Sequence, residues 1–419
     1  MEARTRCIGI FGGTFNPPHT GHEAVLRIAL AEFGDRLEKV LVVPANEPYY
    51  KETAVPAADR LEMCRRAFAG FGQVEVSDLD IRRGGTTYTV DTLADVKAIY
   101  GDDMQPVFIL GSDSFASLEW WKDADRLSEE CIFLVVKRGS DEIPDAGRRV
   151  WVCQEAAPAV SSTGIRESLG HGDTVDGGVT PQVMWYIQRR NLYGIEQMTD
   201  MDVFSDTFIE ARKRELLPRV GERRYAHIMG VADTARELAC VYGVDPAKAF
   251  LAGLLHDWDK HYDDDGIRAR ADELGLVIPD EVYQGAPQTL HGLTAAAWFS
   301  RAYPEIPADV LQAVSRHTTG AVDMSDLDMV VYIADALEPG RHFEGLDALR
   351  AQVGKDSLEE LFISVQAYWI SLIVTRKRTL HPDTFAVWNH YATRHKLRKA
   401  QEGTPAPGDW SRKPAEALE

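Results

Sequence analysis

The sequence predicts an α/β domain with a doubly wound parallel sheet, followed by an all-α domain. Three observations carry this prediction. In the first half, short apolar runs rich in β-branched residues alternate with segments of helical spacing, which is typical of a parallel sheet covered by helices. After residue 195 no strand pattern recurs, and the apolar residues keep helical spacing. The chain has 419 residues, which is too long for one ordinary hydrophobic core.

The elements of the first half follow from these patterns in order. The predicted strands are Cys7–Phe11, Lys39–Ala45, Val74–Ile81, Pro106–Asp113, Cys131–Arg138 and Arg149–Cys153. The predicted helices begin near Thr20 and then cover Ala58–Phe71, Val90–Gly101, Ser162–Gly170 and Pro181–Gly194. Because parallel strands present their carboxyl ends at one edge of the sheet, ligands are expected at that edge.

The stretch GIFGGTFNPPHTGH, residues 9–22, has the features of a phosphate site. It places Gly12 and Gly13 at the end of a strand, where backbone N–H groups can approach an anion closely. The helix that follows points its positive end at the same place. His19 and His22 flank that helix start and can lie on one side of the opening. This combination suits a triphosphate whose charge shifts during a reaction.

A second phosphate-binding element is predicted in VSSTGIRESL. Ser162 and Thr163 stand at a helix start, and by themselves they are most simply explained as N-capping residues. Arg166 lies in the first turn, where a cation opposes the helix dipole. A phosphate bound between the cap and the arginine would remove that conflict.

All these segments, in this order, resemble the bacterial nicotinate-mononucleotide adenylyltransferases over residues 5–195, with their GxFGGTFxPxHxGH pattern. The resemblance implies adenylyl transfer from ATP to nicotinate mononucleotide, giving deamido-NAD and pyrophosphate, with Mg²⁺ on the leaving pyrophosphate. It also implies catalytic roles for His19, His22 and Arg166. The residues implied for ATP are Gly12, Gly13, Thr14, Phe15, Ser162 and Thr163. Those implied for the pyridine nucleotide are Lys51, Thr86, Tyr88, Asp113 and Trp121.

Three positions depart from that family pattern. Asn16 stands where the family often has Asp, Tyr50 where a His is common, and Asp80 where a Glu is usual. They leave the choice between nicotinate and nicotinamide mononucleotide open, without touching the phosphate machinery. A non-enzymatic nucleotide-binding role is the alternative for this half.

The organisation of the whole chain follows from these boundaries. Residues 1–195 form the first domain, the polar and acidic segment 196–207 is interpreted as a linker, and residues 208–400 form the all-α domain. The tail 401–419 is rich in Pro, Gly and charge and is predicted to be disordered. The predicted helices of the second half are Thr207–Val220, Arg223–Gly243, Asp245–Tyr262, Asp265–Leu276, His291–Pro304, Pro307–Gly320 and Asp326–Gly340. Asp245 is interpreted as a helix cap, and Pro339-Gly340 as a stop.

Six chemistry-bearing residues interrupt the apolar helical stretches of the second half: His227, His256, Asp257, His291, His317 and Asp335. A single histidine on an apolar helix face is more often a core residue. The order H…HD…H…H…D, however, resembles the ligand set of the HD phosphohydrolase superfamily. The resemblance implies one metal ion on His227, His256, Asp257 and Asp335, and another on His291 and His317, with Asp257 bridging and catalytic. Imidazole with carboxylate and no thiolate favours iron or manganese, with zinc left open.

Four local segments make the resemblance more specific: RYAHIMGVA, AGLLHDWDK, HTTG and ADALEPGRHF. With them, residues 215–380 resemble the bacterial HD-domain diadenosine tetraphosphatases. It implies symmetric cleavage of diadenosine tetraphosphate into two ADP, with iron as the metal. Lys260, Thr318 and Arg341 would then contact the polyphosphate. Two alternatives stay open: another substrate (a mononucleotide, a cyclic dinucleotide or guanosine tetraphosphate), or a non-catalytic nucleotide sensor.

Composition limits the partners. A formal net charge of −19 argues against nucleic acid and against an anionic membrane surface. No stretch is expected to reach the length of a membrane-spanning helix. The five cysteines are scattered and never in CxxC spacing, as in a reduced, cytoplasmic protein. A homo-oligomer is left open.

Overall fold

The computed structural model describes residues 6–401 apart from 50–52, 54, 102, 139–142, 144–148, 172–174, 176 and 196–201. Contacts divide the chain into two compact units. The first is Met1–Met201 with Asp272–Leu276 and Arg301–Pro304, and the second is Asp202–Ala271 with Val277–Ser300 and Glu305–Glu419. Residues 196–201 of the expected linker and 402–419 of the expected tail lie outside the described residues.

The first unit is built on a parallel sheet of six strands. The strands of this unit are β1 (Cys7–Gly13), β2 (Lys39–Pro44), β3 (Glu47–Pro48), β4 (Val74–Val76), β5 (Thr86–Thr87), β6 (Gln105–Gly111), β7 (Ile132–Arg138) and β8 (Val150–Ala157). The sheet order is β4-β2-β1-β6-β7-β8, and every pair is parallel. β3 and β5 form a separate two-stranded sheet that the sequence patterns did not predict. The order reverses between β1 and β6, so the predicted doubly wound parallel sheet is confirmed.

The alternation of side chains on the strands explains why both faces of the sheet are covered. On β2, Val40 and Val42 pack into one buried cluster, whereas Leu41 and Val43 pack into another. Such strands read as continuous apolar runs because each face is buried. The helices of this unit are α1 (Thr20–Phe33), α2 (Ala57–Ala67), α3 (Leu79–Arg83), α4 (Thr89–Tyr100), α5 (Ser112–Ala116), α6 (Ala124–Glu130), α7 (Ser162–His171) and α8 (Pro181–Arg189). Short 3₁₀ turns cover Gly34–Arg36, Leu118–Trp120 and Leu192–Gly194.

The prediction of a strand over Val74–Ile81 is wrong in its second half. The strand ends at Val76, and Leu79–Arg83 is helical. Ion pairs one turn apart explain the change, because Asp78 pairs with Arg82 at 2.8 Å and Asp80 with Arg83 at 2.7 Å. The alternating pattern of VEVSDLDI was therefore a strand end followed by a short helix.

The second unit is helical in its described residues. Its helices are α9 (Asp206–Tyr242), α10 (Pro246–Leu255), α11 (Asp264–Glu273), α12 (Asp280–Gly285), α13 (His291–Ala302), α14 (Ala308–Arg316), α15 (Asp326–Leu337), α16 (Leu346–Arg350), α17 (Leu358–Thr375) and α18 (Pro382–Gln401), with a 3₁₀ turn at Pro287–Thr289. α9 packs against α10 and α15, and α15 also packs against α14 and α17. The predicted all-α character of this half is confirmed.

Helix ends in this unit follow the local sequence. Gly221 has φ +74° and ψ 165°, which breaks α9 between the two helices predicted for that region. The Asp245 carboxylate accepts hydrogen bonds from the Ala247 and Lys248 N–H groups, as its predicted cap role requires. α15 ends at Leu337, just before Pro339-Gly340.

Helix α17 corrects the expectation that no stretch reaches membrane-spanning length. By length and composition alone, Leu358–Thr375 could cross a membrane, with a mean hydropathy of 1.3 over 18 residues. Core helices pass the same test. Here Phe362 is buried, and its ring contacts Tyr332 and Tyr391 edge-on. Packing inside the helical unit accounts for the buried part of this helix, which is 22% of the apolar window.

Candidate active sites

A cavity of about 380 Å³ opens at the carboxyl ends of β1, β2 and β6 in the first unit. This is the point where the strand order reverses, the usual ligand position in such sheets. Ten of the residues predicted for nucleotide binding line it: Gly12, Gly13, Thr14, Phe15, His19, His22, Asp113, Trp121, Ser162 and Thr163. These residues come from a turn, from helix starts and from strand ends that are far apart along the chain. The fold therefore brings them together at one cavity.

The two histidines of the turn cap helix α1 reciprocally. His19 Nδ1 accepts from the His22 N–H at 3.3 Å, and His22 Nδ1 accepts from the His19 N–H at 3.2 Å. Their rings stack with centroids 3.7 Å apart. Because Nδ1 accepts in both, a neutral ring carries its proton on Nε2. Both imidazoles can therefore donate from Nε2 toward an anion at the helix start.

Arg166 reaches the loop that follows β1. Its guanidinium donates to the Asn16 carbonyl oxygen at 2.8 Å and to the Thr163 hydroxyl at 3.1 Å. The Ser162 hydroxyl donates to the Pro17 carbonyl oxygen at 3.0 Å. The arginine does not line the cavity itself, but it contacts Thr163, which does. The departure at Asn16 has a structural explanation, since its side-chain oxygen accepts from the Tyr193 hydroxyl at 2.7 Å.

The residues predicted for the pyridine nucleotide do not all reach the cavity. Asp113 and Trp121 line it. Thr86 lies in the small β3–β5 sheet, and Tyr88 stacks on Tyr49, with ring centroids 5.4 Å apart, outside the cavity lining. In and beside this small sheet, Thr87, Thr89 and Tyr49 line the cavity, whereas Thr86 and Tyr88 do not. Lys51 falls outside the described residues.

Two buried charges beside this cavity were not predicted as site residues. Arg60 is fully buried and donates to the carbonyl oxygens of Thr14 and Asn46, which ties together the loops after β1 and β2. Asp80 lines the cavity and accepts from the Thr92 hydroxyl, and burial raises its pKa. In the sequence, Arg60 looked like an ordinary polar residue on a helix, and Asp80 was noted only as a departure from the family pattern.

The four histidines and two aspartates predicted as ligands meet in the second unit. His227 lies within α9, His291 begins α13, and Asp335 lies in the last turns of α15. His256 and His317 are the residues that cap the carboxyl ends of α10 and α14, so they end helices rather than interrupt them. His256, Asp257, His291 and His317 are buried.

The ring orientations of the histidines are fixed by hydrogen bonds at Nδ1. His256, His291 and His317 each donate from Nδ1 to a backbone carbonyl oxygen three residues earlier, on Gly253, Gln288 and Val314, at 2.6–2.8 Å. Since a carbonyl only accepts, the proton is on Nδ1 and the Nε2 lone pair points into the cluster. Metal-binding histidines have this arrangement.

Asp257 stands between two groups of histidines. One carboxylate oxygen, Oδ1, lies 3.0 Å from His291 Nε2 and 3.8 Å from His317 Nε2. The other, Oδ2, lies 3.5 Å from His256 Nε2 and 3.8 Å from His227 Nε2. A carboxylate with this placement can ligate one ion through each oxygen. Asp335 completes the second group, with Oδ1 at 3.1 Å from His227 Nε2.

The electrostatics of the cluster favour cation binding. Burial would raise the pKa of Asp257, but His256 and His291 hold that pKa well below its usual range. Burial and the neighbouring His256 and His291 lower the pKa of His317 to about 3, so this ring is neutral at ordinary pH. Asp257 is therefore ionised and His317 neutral, the protonation states in which these groups ligate metals, whereas, against the effect of burial, Asp257 raises the pKa of His256.

Two further observations fit a metal centre. The buried Nε2 atoms of His227 and His256 have no hydrogen-bond partner. The Nε2 atoms of His291 and His317 lie 3.0 Å apart, where two lone pairs repel unless a cation lies between them. His227, His256 and Asp335 form one group of donor atoms within 4.8 Å, and His256, Asp257 and His317 form another. The residues present therefore fit metal ions bound by imidazole and carboxylate.

The three residues predicted to hold a polyphosphate lie around this cluster. Lys260 Nζ is 3.4 Å from His291 Nδ1, and burial lowers its pKa. The Thr318 hydroxyl is 3.0 Å from His317 Nε2. The Arg341 guanidinium donates to Asp335 Oδ1. The structure thus brings all three to the six predicted metal ligands, which we call the metal-ligand cluster (His227, His256, Asp257, His291, His317 and Asp335).

Two residues near the cluster were missed by sequence reasoning. Arg224, which lies one helical turn before His227, donates a hydrogen bond to Asp257 Oδ2 at 2.9 Å. Glu338 is buried, and its carboxylate accepts from His227 Nδ1 at 3.0 Å. A charged residue on an exposed helix face and an acid at a helix end carry no distinguishing pattern. Only a search for a partner of His227 Nδ1 could have suggested Glu338.

The fold and the sites define the class of this protein: a nucleotidyltransferase-type domain joined to an HD-type helical domain. A family model described as cytidylyltransferase-like matches residues 10–168, and the HD domain model matches residues 224–340. The chain belongs to the nicotinate-nucleotide adenylyltransferase family and also carries an HD domain.

Curated relatives support the first assignment. A probable nicotinate-nucleotide adenylyltransferase from Salinispora arenicola is 39% identical over 189 residues, covering 43% of this chain and 98% of its own length. Another from Dehalococcoides mccartyi is 35% identical over 197 residues, covering 44% of this chain and 96% of its own. A crystal structure described as a predicted HD superfamily hydrolase involved in NAD metabolism, from Clostridium acetobutylicum, is 34% identical. The alignment covers 44% of this chain and 97% of the length of that chain, with a TM-score of 0.42.

Proposed function

We propose that this protein is a bifunctional enzyme. The first unit transfers the adenylyl group of ATP to nicotinate mononucleotide, giving deamido-NAD and pyrophosphate. The second unit hydrolyses diadenosine tetraphosphate symmetrically into two ADP. The first activity is supported by the relatives, whose length this chain spans almost completely. The five free cysteines, three of them buried, are in keeping with the cytoplasm as the place of both reactions.

For adenylyl transfer, the attacking group is a phosphate that is already an oxyanion, so the site needs alignment and charge stabilisation rather than a base. His19 and His22 donate from Nε2 at the positive end of α1, where negative charge develops on the ATP phosphates. Arg166, with Ser162 and Thr163, holds the loop after β1 and adds a cation. Mg²⁺, when bound, would supply positive charge to the leaving pyrophosphate.

The pyridine nucleotide is placed in the part of the cavity lined by Asp113 and Trp121. We assign Thr86 and Tyr88 to its surroundings rather than to direct contact in the cavity, and Lys51, which lies outside the described residues, stays a predicted contact. The relatives favour nicotinate over nicotinamide mononucleotide as the acceptor. Comparing kcat/KM for the two nucleotides tests this preference, and equal values would contradict it.

For the hydrolase, the observation that carries the proposal is the placement of Asp257 between two histidine groups, one facing each carboxylate oxygen. His227, His256 and Asp335 on one side, and His291 and His317 on the other, would hold two metal ions, for which we favour iron, with Asp257 available to both. Such ions supply positive charge to the phosphate under attack. Lys260, Thr318 and Arg341 hold the neighbouring phosphates, which leaves the polyphosphate aligned along the cluster.

The test uses the full-length protein with its metal content measured. Incubation with diadenosine tetraphosphate is expected to give ADP as the only nucleotide product, and Asp257→Ala is expected to abolish this reaction. A panel with a mononucleotide, a cyclic dinucleotide and guanosine tetraphosphate serves as the comparison. Formation of AMP with ATP, faster turnover of another member of the panel, or full activity in Asp257→Ala would reject the proposal.

A further inference from the structure

A cavity of about 940 Å³ opens beside His227 in the second unit. One wall is the part of α9 that carries Arg223, Arg224 and Ala226, and the opposite wall is the segment 338–343 after α15. Small-molecule pockets in proteins measure about 300–1,000 Å³. The cavity is therefore large enough for a nucleoside phosphate, and none of the roles assigned above uses most of its space.

The charged end of this cavity faces the metal-ligand cluster. Arg224 donates to the Asp257 carboxylate and Arg341 donates to the Asp335 carboxylate, and both arginines line the cavity. The Arg224 side chain is 40% exposed, so its guanidinium can also meet a ligand. Guanidinium groups bind phosphate oxygens through paired hydrogen bonds. An anion that bridges from the cluster into the cavity would pass both arginines.

The remaining lining includes apolar and aromatic surface, together with the polar side chains of Arg223, Glu338 and His342. Val220 and Pro339 contribute aliphatic surface, and Phe343 contributes a ring held edge-on against Trp369, with centroids 5.8 Å apart. Aromatic and apolar surface suits the flat face of a nucleobase, whereas an inorganic polyphosphate would gain nothing from it. The cavity thus combines a cationic mouth with an apolar interior.

We propose that this cavity binds one nucleoside arm of the polyphosphate substrate, with Arg224 and Arg341 holding the phosphates that join this arm to the cluster. The inference rests on the proposed hydrolase function and makes it more specific. It makes the second unit selective for substrates that carry a nucleoside, and it gives Arg224 a role in specificity.

Photolabelling tests this inference in the full-length, metal-containing protein. The probe is 8-azidoadenosine 5′-diphosphate, and the labelled peptides are located by mass spectrometry. We expect label within residues 220–230 or 338–343, in addition to label at the nucleotide cavity of the first unit. Ala226→Phe, which places a ring on an exposed alanine of the cavity wall, is expected to reduce labelling of these two segments at least fivefold.

Labelling of the first unit is the internal reference, and Ala386→Phe is the matched control. Ala386 is an exposed alanine inside α18 and lies outside the cavity lining. Arg224→Gln is a second variant, expected to reduce labelling of the same segments without adding bulk. Label elsewhere in the second unit, or unchanged labelling in both cavity variants, would overturn the inference. Turnover of diadenosine tetraphosphate is measured separately, so labelling without ADP formation would reject the proposed function alone.

Discussion

At the scale of single residues, the HD-type centre depends on which nitrogen each imidazole presents. Three histidines are oriented by carbonyl groups of their own local backbone. His227 differs, because it lies inside a helix where the carbonyls are already used, and its Nδ1 meets Glu338 instead. A carboxylate at this position fixes the ring and makes Nε2 a stronger ligand.

We therefore expect Glu338→Gln to retain the ring orientation but to weaken metal binding, and Glu338→Ala to weaken it further. Loss of such a partner typically costs about 10- to 100-fold in metal affinity. The measurement is metal content after a fixed exposure to chelator. Glu344→Gln, at an exposed glutamate nearby, is the control. Metal retention in Glu338→Ala equal to that of the unmodified protein would show that Glu338 does not position His227.

Arg166 is the corresponding test in the first unit. Removing a donor that stabilises developing charge typically costs about 10²- to 10³-fold in rate. We expect Arg166→Ala to lower kcat for adenylyl transfer by at least about tenfold, because the cation and the anchor on the Asn16 carbonyl are both lost. Arg126→Ala, which removes an exposed arginine of α6, should have no effect. An undiminished rate in Arg166→Ala would refute the assignment.

At the scale of secondary structure, the second part of α9 supplies one whole side of the metal-ligand cluster. Arg224, His227 and Gly230 lie on successive turns of this helix, after the break at Gly221. A Cβ on Gly230 would lie 2.8 Å from Glu338 Oε2, and a Cβ on Gly340 would lie equally close. These two glycines leave the space in which the Glu338 carboxylate sits.

Because of this packing, Gly230→Ala should have two opposing effects. Alanine inside a helix is favoured over glycine by about 0.5–1 kcal/mol, so the helix itself should gain stability. The added methyl group, however, must push the Glu338 carboxylate away from His227. We expect metal loss similar to that of Glu338→Ala, measured by the same chelator assay, while the metal-free protein unfolds at no lower temperature. Gly170→Ala in α7, where a Cβ meets no neighbour, shows the effect of the methyl group alone. Full metal retention in Gly230→Ala would contradict the role given to Glu338.

At the scale of the whole molecule, each candidate active site is built within one unit. The residues that line the nucleotide cavity all belong to the first unit, and the six predicted metal ligands all belong to the second. Sites that share no residues usually respond to substitution independently. Neither candidate site therefore requires a residue of the other unit to complete it.

We expect His19→Ala to lower adenylyl transfer while ADP formation from diadenosine tetraphosphate stays within about twofold, because sites that share no residues are nearly additive. Asp257→Ala should do the reverse. Both rates are measured on the full-length protein at equal concentration and metal content. A large change in the second activity of either variant would show that the two sites are coupled.

The local patterns succeeded where one segment decides its own structure. Strand β2, the cap at Asp245 and the stop at Pro339 are set by residues next to one another, and all three were predicted. The segment Val74–Ile81 shows the limit, because alternation over a few residues cannot separate a strand end from a short helix. Helix α17 shows another limit, since only the tertiary structure reveals which of its apolar residues, such as Phe362, are buried against neighbouring helices.

The sequence by itself determined the alternation of strands and helices, the glycine-rich turn with its two histidines, and the set of imidazoles and carboxylates. These are properties of residue type and spacing. Only the tertiary structure decided that His227 meets Glu338, that Arg60 joins two loops, and that a cavity opens beside Arg224. Those contacts join residues distant along the chain, and their distances depend on how helices and strands pack rather than on any local pattern.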